Sequence, residues 1–397
     1  MPAATTEVDP RSLTVRLKSA ARELGFSLAG ACSAASPPGV EQFREWLRRG
    51  YAGEMSYLQQ REAAYSDPNL VLPGVRSVLM LAMGYRTSTP VDATAGQGRI
   101  ARYAWGSRDY HDVIRERLHQ LADLLRELVP GSRARGVVDT APLLERQFAQ
   151  RAGLGWLGKN TLLLNKSHGS WFFLAALLTD VPLDYDAEHA ADHCGTCRAC
   201  LDACPTQAFV EPYVLDARRC LSYTTIEQRS LPESELREAH DPWVFGCDVC
   251  QEVCPWNHRA PPESEPPADP ASENTFEPLA ENNPLDLVEL LSLDETGFRR
   301  RFAGTPLARP GRTGVLRSAA FALGNRPCRE GLSALTSSLQ DPDPQIRAAS
   351  AWALARYHDA DSLQALQSRA AVETTIEVQQ EIAVAVRFLA GIHDASK

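Results

Sequence analysis

Cys194-Gly-Thr-Cys197-Arg-Ala-Cys200-Leu-Asp-Ala-Cys204-Pro205 and Cys247-Asp-Val-Cys250-Gln-Glu-Val-Cys254-Pro255 are the stretches on which the architecture turns. The first has the Cys-x2-Cys-x2-Cys-x3-Cys-Pro spacing of a bacterial ferredoxin half-motif, in which three thiolates hold one cluster and the fourth reaches the other. The second repeats the ending without its first cysteine, and Cys220, isolated upstream, replaces it. By ferredoxin logic one 4Fe-4S cluster takes Cys194, Cys197, Cys200 and Cys254, and a second takes Cys204, Cys220, Cys247 and Cys250. Soft thiolates stabilise iron clusters, and tight loops let successive cysteines converge on one cube. Structural zinc is the alternative for any single Cys-x2-Cys pair, but two Cys-x2-Cys-x3-Cys-Pro runs are far more specific. Cys32 and Cys328 fall outside this block.

Eight of the ten cysteines in 397 residues lie in that block, which is too local for a disulfide scaffold. Apolar residues make up 44% and charged residues 23%, the composition of folded soluble domains. The net charge of −9 argues against a chain that coats nucleic acid everywhere and leaves room for a local basic patch. The longest apolar run, Trp171 to Leu178, suits a buried strand and falls far short of a membrane span. The polar, acidic start lacks the basic head and apolar stretch of an export signal, so a cytoplasmic protein is expected.

Before the cysteines, helical and strand patterns alternate. Leu13 to Leu24, Gln42 to Leu47 and Asp112 to Leu128 carry helical apolar spacing, and Ser77 to Ala82 reads as a strand. Gly136-Val-Val-Asp139 reads as a short strand with its acid at the carboxyl end, leading into a helix that carries Pro142, Leu143 and Leu144. Residues 1–189 thus form an α/β or α+β domain, and 190–260 a ferredoxin-type domain with two 4Fe-4S clusters. From 261 to 286 there are seven prolines, seven acidic residues and no lysine or arginine, the mark of a solvated connection. Residues 287–397 turn helical, and Leu339-Gln-Asp-Pro-Asp-Pro-Gln-Ile-Arg-Ala-Ala-Ser-Ala-Trp-Ala-Leu354 resembles a HEAT-type helical hairpin. An ordinary helical bundle is the plainer alternative.

Clusters alone move electrons, and the long leading domain is expected to hold their acceptor. Val137-Val-Asp139-Thr-Ala-Pro-Leu-Leu-Glu-Arg146, Ala152-Gly-Leu-Gly-Trp-Leu-Gly-Lys-Asn160 and Tyr103-Ala-Trp-Gly-Ser-Arg-Asp-Tyr-His111 resemble the epoxyqueuosine reductase family. Together with the paired cysteine runs and the helical tail, the resemblance covers essentially the whole chain. It implies a nitroreductase-like, cobalamin-binding domain, two 4Fe-4S clusters, a C-terminal HEAT-like α-helical domain, and reduction of epoxyqueuosine to queuosine at the tRNA wobble position. An external electron donor and a monomeric enzyme are expected. The Asp-x-His-x-x-Gly motif of many cobalamin enzymes is absent, so the corrin is expected without an axial histidine; composition and spacing by themselves point equally to a flavin. Where the family pattern carries an arginine this chain has Tyr65, which puts a cofactor contact between Arg61 and Tyr65 outside the pattern.

Asp139 is expected to be the proton donor to the opened epoxide, with burial raising its pKa, and to touch the cofactor. Its plainer role is to cap the following helix. Lys159 and Asn160, after a Gly-rich turn, are expected to contact a phosphate or corrin side chain, and by position in the family pattern Ser222 and Asp248 also face the corrin. His111 reads as a surface or core-edge histidine. Residues 297–326 hold seven arginines and no acid, so Arg299, Arg300, Arg301, Arg312 and Arg317 are expected to grip phosphates of the tRNA anticodon stem-loop. The competing functions are a reductive dehalogenase-like cobalamin enzyme and an iron-sulfur electron-transfer scaffold.

Overall fold

The computed structural model describes residues 9–259 and 275–395. Most of the connection expected over 261–286 lies outside the described residues. The chain forms two compact units, each drawn from separated stretches. The first comprises the described parts of Met1–Thr87, Arg108–Asp216 and Val249–Thr275, and the second those of Ser88–Ser107, Ala217–Asp248 and Phe276–Lys397. These differ from the consecutive stretches read in the sequence. The reason is strand pairing at long range: Trp243–Phe245 lies parallel to Gln97–Ile100, which pairs antiparallel with Leu285–Asp286. No helix among the described residues is long and apolar enough to cross a membrane.

The first unit is built on a four-stranded sheet. In chain order its framework is α1 (Pro10–Glu23), β1 (Leu28–Ser33), β2 (Ser77–Gly84), α2 (Tyr110–Leu128), β3 (Ala134–Val137), α3 (Glu145–Arg151) and β4 (Phe172–Thr179). The strand order is β1-β2-β4-β3, antiparallel throughout, with Leu79 opposite Leu177 and Val137 opposite Ala176. Both central strands are apolar on consecutive residues because each of their faces is covered, and every residue of β2 is buried. Helix α2 puts Leu118 and Leu125 inside and is capped by Asp109. The helix expected to include Pro142 to Leu144 starts later, at Glu145. Asp139 has a positive φ of 31°, which turns the chain out of the strand and leaves residues 140–144 as a loop.

The second unit stacks α4 (Gly311–Asn325), α5 (Arg329–Ser338), α6 (Pro344–Ala355), α7 (Ala360–Ala370) and α8 (Ile376–Ala395). Buried alanines at 319, 320, 349 and 353 let helices approach closely. At the crossing of α4 on α6, a Cβ on Gly324 would meet Ala353 Cα at 2.8 Å. Charge is also built into this core. The Glu373 side chain is fully buried and accepts from Arg347 Nε (2.8 Å) and Arg369 Nη2 (2.7 Å), and the arginines hold its carboxyl far below the usual carboxylate range.

Candidate functional site

Asp139 stands two residues past the end of β3, and the first turn of α2 brings its partners. His111 Nε2 lies 2.6 Å from Asp139 Oδ1, and Tyr110 donates its hydroxyl to Oδ2. On the far side of the imidazole, Nδ1 lies 2.6 Å from Asp109 Oδ1, the carboxylate that also accepts from the His111 backbone N–H (2.9 Å). Tyr110 is sandwiched between Phe173 (centroids 4.1 Å apart) and His111 (4.0 Å), so the rings cannot pivot freely. The Asp139 N–H donates to Glu145 Oε1 (2.8 Å), and Arg61 Nη1 reaches Thr140 O (3.2 Å).

This geometry sets the charges. Burial works against a charged His111, but its hydrogen bonds to Asp109 and Asp139 prevail and raise it to about 9. At neutral pH His111 is therefore an imidazolium, hydrogen-bonded to Asp109 and Asp139. Burial, then the charge of Asp139, pushes the Glu145 carboxyl up to about 8. The Asp139 side chain is 46% exposed. Asp139 does not cap a helix, since α3 begins after Leu144 with no side-chain cap. Tyr110, Asp109 and Glu145 were missed in the sequence and His111 was set aside; the adjacency of Asp109, Tyr110 and His111 at a helix start was the available signal. Tyr65 is buried and packs against Phe43 (ring centroids 5.0 Å apart).

A second feature of the same unit is a cavity of about 220 Å³ lined by Cys194, Cys197, Cys200 and Cys254 together with Lys159 and Trp256. These are the four cysteines expected to share one cluster. Trp156 and Leu164 pack with Cys254 into an apolar wall, against which Cys194 and Trp256 rest. Burial, and then the neighbouring Cys254, Cys194 and Cys197, push the Cys200 thiol up to about 11. Burial raises the Cys254 thiol as well, and a pocket that disfavours bare thiolates suits a cationic iron core, which supplies the missing charge. Lys159 Nζ is taken up by carbonyl oxygens of the cysteine loop, and Asn160 Nδ2 approaches Cys250 O (3.4 Å). Both side chains therefore reach the cysteine loops. Cys204 accepts from Ala208 N (3.3 Å).

In the second unit Cys220 precedes a short helix, Leu221–Ile226, on which Ser222 is half-buried. Asp248 is buried and its Oδ2 accepts from Arg102 N (2.8 Å). The arginine-rich stretch divides. Arg317 is buried and donates to the carbonyls of Thr224 (2.8 Å), Gln228 (2.9 Å) and Ser230 (2.7 Å). Arg312 pairs with Asp341 and Leu293 O, and the Arg301 side chain, 15% exposed, pairs with Glu289. These three hold the fold together, and a guanidinium spent on internal acceptors is not available to a phosphate. Arg299, 76% exposed beside Glu295, and Arg300 remain on the surface.

The chain is similar to known proteins over most of its length. Residues 193–257 match the family described as 4Fe-4S double cluster binding domain, 66–140 match Epoxyqueuosine reductase QueG, DUF1730, and 307–387 match HEAT repeats. The epoxyqueuosine reductase of Pseudomonas aeruginosa is 42% identical over 354 residues, covering 88% of this chain and 96% of that one. That of Escherichia coli is 36% identical over 353 residues, covering 88% and 90%. A crystal structure of epoxyqueuosine reductase with an epoxyqueuosine-modified tRNA-Tyr stem loop superposes with a TM-score of 0.87 at 30% identity, covering 96% of this chain and 99% of that one. The Bacillus subtilis enzyme, with an aspartate-bearing catalytic loop swung out of its active site, gives 0.85 at 29% identity, covering 95% and 99%.

Proposed function

Because the chain belongs to the epoxyqueuosine reductase family, we propose that it reduces epoxyqueuosine at the wobble position of a tRNA to queuosine, as a cytoplasmic monomer fed by an external electron donor. The observation that carries this reading is the likeness, over 96% of the chain, to a reductase bound to a modified tRNA stem loop. The eight grouped cysteines hold two 4Fe-4S clusters, in the sets Cys194, Cys197, Cys200, Cys254 and Cys204, Cys220, Cys247, Cys250. Cobalamin is the second cofactor, on the strength of the family resemblance. Asp139 would face a corrin bound here, and His111, whose two ring nitrogens lie against Asp109 and Asp139, would serve the proton rather than the corrin.

The cysteine sets would hold clusters that supply single electrons, and a corrin would supply strongly reducing, nucleophilic chemistry toward an epoxide. The chain's own residues handle the proton. Opening the ring leaves an alkoxide, and Asp139, half-exposed on a turn, is the group placed to protonate it. His111 Nε2, hydrogen-bonded to Asp139 Oδ1, supplies the proton that Asp139 passes to the alkoxide, while Tyr110 holds the other oxygen. The swung-out catalytic loop of the Bacillus subtilis relative supports a moving aspartate here, and the positive φ of Asp139 is the conformation in which such a turn stores strain.

Anaerobically purified protein should contain about eight iron and eight sulfide per chain. Cys220→Ser should lose about half of the iron and one electron paramagnetic resonance signal; retention of all the iron removes Cys220 from the ligand set. On the tRNA side, Arg299→Gln with Arg300→Gln should weaken tRNA binding and flatten its salt dependence by up to about two charges. Reduction of a free epoxyqueuosine nucleoside should persist. An unchanged salt slope excludes this pair from the docking surface.

A further inference from the structure

The cysteine cavity of the first unit has one ammonium on its wall. Lys159 Nζ donates to Gly195 O (2.5 Å) and Cys197 O (2.9 Å), tying together a turn in which Gly195 adopts a positive φ of 48°. A carboxylate holds the same loop from its other end. Asp192 Oδ1 accepts from Cys194 N (2.8 Å), and Oδ2 accepts from the hydroxyl of Tyr213 (2.5 Å). The ring closes through the backbone, since Tyr213 N donates to Lys159 O (3.0 Å). The loop over 192–197 is thus held between one fixed positive and one fixed negative charge. The loop is solvent-exposed, so both charges act on the cavity through a partly screened medium.

We propose that Lys159 is the positioning residue of the cluster held by Cys194, Cys197, Cys200 and Cys254, fixing its ligand loop and raising its reduction potential, with Asp192 opposing it. The inference rests on the assignment of that cluster to these four cysteines. Taking up one electron from the external donor adds one negative charge to an iron core that already carries four thiolates. A nearby cation stabilises the reduced form more than the oxidised one, and a nearby anion does the reverse. Lys159 reaches the cluster through backbone carbonyls, so it supplies charge and geometry without being a ligand.

Potentiometry of the full-length holoprotein, monitored by electron paramagnetic resonance, tests this in wild type, Lys159→Gln, Lys159→Arg and Asp192→Asn. Lys159→Gln should move the midpoint of one cluster to more negative potential and leave the other unchanged, with iron content retained. Lys159→Arg should stay near the wild type, and Asp192→Asn should move the same cluster the opposite way. An unshifted midpoint in an iron-replete Lys159→Gln protein overturns the proposal. So do shifts of the same sign in Lys159→Gln and Asp192→Asn, which indicate a loosened loop rather than charge. If Lys159→Gln sheds this cluster, the other two variants decide: a wild-type potential in Lys159→Arg with a positive shift in Asp192→Asn supports it, and an unshifted Asp192→Asn overturns it. Failure of the underlying assignment reads differently, as a wild-type signal that survives Cys254→Ser.

Discussion

Turnover of an Asp139→Asn enzyme is expected to fall by about 10²- to 10⁴-fold, the range for loss of a positioned general acid. Its iron and corrinoid content should match the wild type. The side chain is half-exposed, so stability should change by less than about 1 kcal/mol. An asparagine keeps the shape and has no proton to give. It also removes one of the two carboxylates that raise His111 to about 9, so the imidazole should titrate closer to its ordinary value, as read by its proton resonances against pH. In the wild type, turnover should decline as pH rises through about 9, where His111 loses its proton. The stability linked to His111 runs with the same sign. Its folded pKa lies above the ordinary 6.5, so that contribution is complete below 6.5 and is lost as pH rises through about 9. Full turnover in a thermally weakened Asp139→Asn protein assigns the residue to the fold instead.

The largest stability effect belongs to Glu373→Gln. The carboxylate accepts from Arg347, Arg369 and the backbone N–H of Thr375 (2.9 Å) with its side chain fully buried. A glutamine leaves two guanidinium groups without their counter-charge, at a cost of about 3–5 kcal/mol. For a unit of this size that lowers Tm by roughly 10 °C. The pH dependence has the opposite sign to that of His111. The carboxyl is depressed, so its contribution is present above the ordinary value of 4.5 and is lost as pH falls below it. Calorimetry between pH 3 and pH 7 should show an acid-sensitive transition in the wild type that is much flatter in the variant. A variant within about 1 kcal/mol of wild type contradicts the network's role.

The cysteine runs, the strands at Ser77–Gly84 and Phe172–Thr179, and the helices at Pro10–Glu23 and Tyr110–Leu128 were legible in the chain itself. Each depends on spacing within about twenty residues, where ligand loops, the 2-residue strand period and the 3.6-residue helix period are written locally. The family resemblance, read from short motifs, was legible for the same reason. Three things depended on the tertiary structure. Asp139 meets Tyr110 and His111 across more than twenty-five residues because β3 ends beside the first turn of α2, and no local period records that meeting. Lys159, placed by sequence near a phosphate or corrin, turns to the cysteine loop because Gly195 and Cys197 present two carbonyls to it. The arginines between 297 and 326 read as one basic stretch, yet helix packing buries Arg317 and Arg312 among internal acceptors and leaves Arg299 and Arg300 outside. Composition counts charges, whereas burial and partner geometry decide which of them remain available for binding.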